Sequence, residues 1–530
     1  MIRLEELSLT IGAEKILRNV NLEIAPGKVT GLVGESGSGK SMTALAIMRL
    51  APHIAAVSGH IWMDDQDLLA ASEVEMCALR GNRIGMIFQE PMTALNPVKP
   101  IGEQVAETLL VHGKASRSEA MDIARQRLAR VGLPDEKFPL SRYPHELSGG
   151  QRQRVCIAMA VALNLELLIA DEPTTALDVT TQAQILALLK ELVTEEGLSL
   201  LLITHDLAVV ADMADHVAVM QQGEIVEQGL TEPLFRNMEH AYTKKLFVAS
   251  SYHPERRTAP EATPLLEVEG VVRDYRTARQ GILGRPGQFR AVDGVSFELR
   301  RGESLGLVGE SGCGKSTLTR AILGLEKLQG GSIRLEGHEI LSGRGLGADI
   351  RRKMQVVFQD PYGSFNPRWK VGRLVAEPFH LADEKPADLE DKVVRALEDV
   401  GIAQDATDRF IHEFSGGQRQ RIAIARALIT NPDLIILDEA VSALDVSVRA
   451  QILSLLVGLQ AEHGLSYLFI SHDLSVVRSI TDRVLVMRSG KIVEEGAAET
   501  VFTAPGHDYT KSLIAATPVI PPEWQGASNA

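Results

Sequence analysis

The string Gly34-Glu35-Ser36-Gly37-Ser38-Gly39-Lys40-Ser41 sets glycines, one lysine and a terminal hydroxyl at a spacing that suits a bound phosphate chain. A Gly-rich turn aims backbone N–H groups at an anion, and the helix that follows adds the positive end of its dipole. In that arrangement Lys40 reaches the β- and γ-phosphates and the Ser41 hydroxyl binds Mg2+. The string returns as Gly309-Glu310-Ser311-Gly312-Cys313-Gly314-Lys315-Ser316, followed by Thr317. One match could be an ordinary turn. Two, each between an apolar run and a helical stretch, point to two phosphate sites.

Carboxylates complete the chemistry. Asp171-Glu172 and Asp438-Glu439 each end an uninterrupted apolar run, Leu167 to Ala170 and Leu434 to Leu437. A carboxylate at a strand end can hold Mg2+ through water, the expected role of Asp171 and Asp438. Glu172 and Glu439 are the candidates for orienting and deprotonating an attacking water. His205 and His472 each follow an apolar strand and are expected to contact the γ-phosphate. A single histidine at a strand end is more often structural, but matched placement in both halves reverses that preference. Ser148-Gly149-Gly150-Gln151 and Ser415-Gly416-Gly417-Gln418 open two helices, where hydroxyl, amides and dipole form a second anion clamp. Each half already has its phosphate loop, so the spare clamp is expected to close over the nucleotide of the other half.

These motifs recur in one order, and from the signature serines to the final His-x-Tyr-Thr strings (His240 to Thr243, His507 to Thr510) they keep one constant offset. That register indicates duplication. At 530 residues the chain suits two units of roughly 250 residues. The expected divisions are 1–250, a linker at 251–264, 265–517 and a loose Pro-rich tail at 518–530. Apolar runs without alternation read as strands buried on both faces, hence an α/β fold with a mainly parallel sheet flanked by helices. Ligands of such sheets sit at the carboxyl ends of the strands, where both Asp-Glu pairs fall.

The net charge of −14 lacks the basic footprint of a nucleic-acid binder. Three scattered cysteines, Cys77, Cys156 and Cys313, argue against a disulfide framework, a zinc site or an iron–sulfur cluster. No apolar run approaches the ~20 residues of a membrane span, so a membrane role requires partners.

The combination of phosphate loop, Ser-Gly-Gly-Gln signature, Asp-Glu strand end, Ala176-Leu177-Asp178 or Ala443-Leu444-Asp445, and late histidine resembles the ATP-binding cassette family over nearly the whole chain. The resemblance implies two tandem P-loop NTPase domains, each with an antiparallel β subdomain and a helical signature subdomain, paired head to tail. It implies two ATP·Mg2+ sites. One unites Lys40, Ser41, Asp171, Glu172 and His205 with Ser415 and Gly417; the other unites Lys315, Ser316, Asp438, Glu439 and His472 with Ser148 and Gly150. Gln89 and Gln359 match the family's glutamine loop, which senses Mg2+ and the attacking water and couples to membrane subunits.

Gln89-Glu90-Pro91 running to Asn96-Pro97, Gln359-Asp360-Pro361 running to Asn366-Pro367, and the His-x-Tyr-Thr strings resemble the dipeptide/oligopeptide/nickel importer branch. The fused form is similar to the ATPases of microcin C and peptide importers. The implied function is energy coupling for import of peptides or peptide-like solutes, with glutathione or nickel chelates as alternative cargo. Implied partners are two integral-membrane permease subunits and, through them, an extracytoplasmic solute-binding protein, with the chain peripheral on the cytoplasmic face of the inner membrane. A soluble tandem protein acting on ribosomes or DNA would need a basic surface, a long charged linker or metal-binding cysteines. A sugar-importer ATPase would be expected to carry a degenerate site, whereas both glutamates and both signatures are present here. Three departures stand out. Tyr275 fits the family's adenine-stacking position while Ile11 occupies it in the first half, Ala440 replaces the proline seen as Pro173, and Arg276 to Arg290 is expected to form a solvated insert.

Overall fold

The computed structural model describes residues 1–175, 177–254, 260–279, 286–340, 347–360, 363–380, 386–442 and 444–524. Ala176, Ala443, Pro361, Arg285, residues 255–259 of the expected linker and 525–530 of the expected tail lie outside them.

Each half is built on a six-stranded sheet and a four-stranded antiparallel one. In the first half the larger sheet runs Glu224–Leu230, His216–Gln221, Val29–Val33, Ser199–Thr204, Leu167–Asp171, Ile84–Ile87, parallel except for its first strand. The second half repeats this order with Lys491–Ala497, Arg483–Arg488, Ser304–Val308, Ser466–Ile470, Leu434–Asp438 and Met354–Val357. Val29–Val33 and Leu167–Asp171 are buried at every position. Helices cover both faces, which is why these strands carry no polar alternation. The antiparallel sheets pair Ile2–Ile11 and Pro264–Arg279 with their neighbours and pack beside the phosphate-loop strands.

The signature helices, Gly149–Ala160 and Gly416–Leu428, begin at serines that form capping boxes. In each, the serine Oγ accepts from the glutamine N–H (3.4 Å) while the glutamine Oε1 accepts from the serine N–H (3.0 Å). Two of the orphan N–H groups around a helix start are thereby satisfied. No helix among the described residues is long and apolar enough to cross a membrane.

The C-terminal segment of each half packs against the other half. Ala241–Ser250 packs against Val446–His463 of the second half, and the Ser454 hydroxyl donates to Tyr252 Oη at 2.7 Å. Residues 518–530 were expected to be loose; of those described, Ile520 is buried in the first half's core and Trp524 meets Phe235 at 6.2 Å. Arg236 also donates to the Glu523 carbonyl at 2.8 Å. The insert is also more ordered than a loop at both ends: strands run to Arg279 and restart at Pro286, with Arg290 paired to Asp274 and Asp293.

Candidate nucleotide sites

Gly39 and Gly314 start the phosphate-loop helices at φ 108° and 116°, a region that L side chains rarely adopt. A Cβ at Gly314 would also fall 2.3 Å from the Ala291 carbonyl oxygen. Behind each turn the lysine is buried, and its Nζ donates to loop carbonyls: Lys40 to Gly34 (2.8 Å) and Glu35 (2.9 Å), Lys315 to Gly309 (2.7 Å) and Glu310 (3.0 Å). Burial lowers the Lys40 pKa, opposed by Glu172, Asp445 and Asp171.

The Ser41 hydroxyl donates to Asp171 at 3.1 Å. Burial raises the Asp171 and Asp438 pKa values, and the adjacent glutamate adds to that. Among the described residues no cluster of three or more His, Cys, Asp or Glu could hold a metal. One hydroxyl and one carboxylate fit Mg2+, which keeps several waters and relies on substrate phosphates rather than a protein cage.

Glu172 and Glu439 both have positive φ, 46° and 52°, uncommon for a side-chain-bearing residue and an example of strain stored beside chemistry. Their surroundings differ. Glu172 accepts from Gln89 Nε2 (2.9 Å) and the Thr175 hydroxyl (2.9 Å), and lies 3.3 Å from His205 Nδ1. Burial alone would raise its pKa, but His205, Thr175 and Lys40 together hold it at about 2. Glu439 lies 3.3 Å from His472 Nδ1, while Ser442, which stands where the first half has Thr175, donates to the Glu439 carbonyl instead. Burial would raise Glu439 too, but the His472 bond and the charges of His472 and Lys315 together outweigh it and the carboxyl is lowered.

The two halves meet at the first phosphate loop. The Ser36 N–H and hydroxyl donate to Asp445 at 2.8 and 2.9 Å, and the Ser447 hydroxyl donates to Glu35. Beside Ser447, Val448 packs on Gly417, where a Cβ would fall 2.5 Å from Val448 Cγ1. The second signature therefore adjoins the residues that grip the first loop. The reverse junction is built differently: Asp178 caps its own helix through Thr181, and Val179 is buried among the second half's core residues. Ser148 and Ser415 are exposed; among the described residues no hydrogen bond ties either to the opposite phosphate loop.

Tyr275 bonds Glu326 through its hydroxyl at 3.0 Å, with Arg273 over its ring at 4.5 Å. Its cross-strand partner Phe289 is half exposed and offers a second aromatic surface. Sequence reading gave no role to Tyr242 and Tyr509. Their hydroxyls accept from the Glu35 and Glu310 N–H groups at 3.0 Å, tying each half's last helix to its phosphate loop. Burial pushes both phenols up to about 12, so they remain neutral. The His-x-Tyr-Thr strings were the available signal.

The ABC transporter family model matches residues 17–175 and 292–442. The chain belongs to the ABC transporter family. It is an ABC transporter ATPase with two ATP-binding cassettes, and its residues 493–530 match the model of the oligopeptide/dipeptide transporter C-terminal region. It is 47% identical to the glutathione import ATP-binding protein GsiA of Escherichia coli (strain K12) and to that of Shigella dysenteriae, over 96% of this chain and 87% of theirs. A bacterial ABC transporter cassette solved as a dimer is 32% identical, covers 44% of this chain and 99% of its own length, and has a TM-score of 0.39.

Proposed function

We propose that this ABC ATPase is the energy-coupling subunit of an importer for short peptides, with glutathione the leading cargo. The reading rests on the match of its C-terminal region to oligopeptide/dipeptide transporters, and the printed name of its relatives favours glutathione over longer peptides, microcin C or nickel chelates. Two permease subunits and an extracytoplasmic binding protein would complete the system, with the cassettes on the cytoplasmic face of the membrane.

The chemistry follows from residues already in place. Lys40 and Lys315 exchange loop carbonyls for β/γ-phosphate oxygens when ATP enters. Ser41 and Asp171, with Ser316 and Asp438, would hold Mg2+, which neutralises charge developing on the phosphates. Glu172, steered by Gln89, Thr175 and His205, orients the attacking water. Each site is completed by the opposite cassette's signature, Ser415 and Gly417 or Ser148 and Gly150. ATP thereby closes the pair, and hydrolysis with product release reopens it.

The test is uptake into vesicles containing the chain, its co-purified permeases and the binding protein. Glutathione should be accumulated with ATP and should stimulate turnover. Stimulation by a longer peptide but not by glutathione would refute the cargo assignment.

A further inference from the structure

The Gly34–Glu35 peptide of the first phosphate loop is held at both ends. Lys40 Nζ donates to its carbonyl at 2.8 Å, and its N–H donates to Tyr242 Oη at 3.0 Å. When Lys40 turns to a phosphate oxygen, the tyrosine still keeps the peptide in place. Tyr242 is buried near the start of Ala241–Ser250, whose beginning is fixed in turn. His240 Nδ1 accepts from the Tyr242 N–H at 3.2 Å, as an N-cap does. The Glu227 carboxylate accepts from the Glu239 and His240 N–H groups at 2.8 and 3.2 Å.

The same helix packs against Val446–His463 of the other cassette, and that helix carries Ser447, whose hydroxyl donates to the Glu35 carboxylate. The contacts close a ring: Glu35 backbone, Tyr242, the first cassette's His-x-Tyr-Thr helix, the second cassette's Val446–His463, Ser447, and the Glu35 side chain. The second cassette has the matching parts. Glu310 N–H donates to Tyr509 Oη at 3.0 Å, Lys315 holds the Gly309 carbonyl at 2.7 Å, and His507 Nδ1 accepts from the Tyr509 N–H at 3.1 Å. Its helix Asp508–Ala515 packs against Val179–Glu196. There the ring stays open. Thr180 stands where the other junction has Ser447, and among the described residues no hydrogen bond joins it to Glu310.

We infer that Tyr242 and Tyr509 are positioning residues for ATP, each holding its own phosphate loop, and that Glu35 makes the first loop answer to the second cassette as well. A loop whose N–H groups are already aimed loses less freedom when the phosphates arrive, so it binds them more tightly. In the first cassette that preorganisation depends on two bonds meeting at one residue, one from each cassette. In the second it depends on Tyr509 alone. Nucleotide affinity at the Lys40 loop is therefore coupled to the Val446–His463 helix, without a matching coupling at the Lys315 loop. The inference rests on both loops being ATP sites and is independent of the importer reading and of the cargo.

Photocrosslinking titrations with azido-ATP on the full chain, resolved to each loop by peptide mapping, test it. Tyr242→Phe should weaken capture at the Lys40 loop about fivefold, and Tyr509→Phe should do the same at the Lys315 loop. The phenylalanines keep the buried rings, and the untouched loop of each variant reports that the chain is folded. Ser447→Ala should weaken capture about threefold at the Lys40 loop only, although it lies in the second cassette. Because both bonds act through Glu35, Tyr242→Phe/Ser447→Ala should lose about fivefold rather than the ~15-fold of independent bonds. Glu35→Ala removes the same grip from the loop side and should make Ser447→Ala silent. Thr180→Ala should change nothing at the Lys315 loop, alone or with Tyr509→Phe. Unchanged capture in both phenylalanine variants would overturn the positioning role. Multiplicative losses, a Ser447→Ala effect at both loops, or a Thr180→Ala effect equal to it would overturn the one-sided coupling. A wild-type chain labelled at neither loop would overturn the ATP-site assignment and this inference with it.

Discussion

Glu172 holds three side-chain contacts and Glu439 one among those described, yet both sit on the same strained turn. If hydrolysis needs both cassettes closed together, Glu172→Gln or Glu439→Gln should lower turnover about tenfold or more, beyond the half that independent sites would lose. Steady-state phosphate release measures it. The pKa of Glu172 lies below its ordinary 4.5, so its stabilising contribution is complete above that value and is lost as pH falls through about 2. The midpoint difference between wild type and Glu172→Gln in denaturant should therefore shrink across that window. Tyr242→Phe removes one acceptor from the first phosphate loop and should weaken ATP binding by roughly fivefold, about 1 kcal/mol, in equilibrium titration. The candidate site residues were readable along the chain because they sit inside local motifs. The tyrosines' role was not, since the bonded residues are 207 and 199 positions apart and only folding brings them together. Tyr275 shows the converse: its position matched a motif, while its hydroxyl and one ring face are occupied by Glu326 and Arg273.

The elements around the site are set by close backbone approach. Gly150 lies so near the helix Val179–Glu196 that a Cβ would fall 2.3 Å from Thr181 Cγ2. Gly150→Ala should push the signature helix away and depress turnover. Adding Thr181→Ser removes the obstructing methyl while keeping the hydroxyl bond to Asp178, and should restore much of the loss. Failure of that rescue in the same phosphate-release assay would mean that Gly150 matters for another reason. The mainly parallel sheet was expected from apolar runs without polar alternation, a pattern of strands covered on both faces; the strand order was not legible, because it depends on pairings between distant segments.

At the scale of the whole chain, duplication predicted two equivalent junctions and the molecule has two unequal ones. Asp445 and Ser447 hydrogen-bond the first phosphate loop, whereas the reverse junction is apolar around Val179. Equal motifs cannot reveal this, since the difference lies in contacts 409 and 412 residues apart. The described end of the chain adds a clasp, with Ile520 and Trp524 seated on the first cassette. We propose that each ATP is handled by one cassette's phosphate loop and the other's signature. Site-resolved nucleotide photocrosslinking of Ser415→Arg tests it most directly. Trapped nucleotide should be lost at the Lys40 loop and kept at the Lys315 loop; loss confined to the Lys315 loop would refute the shared site.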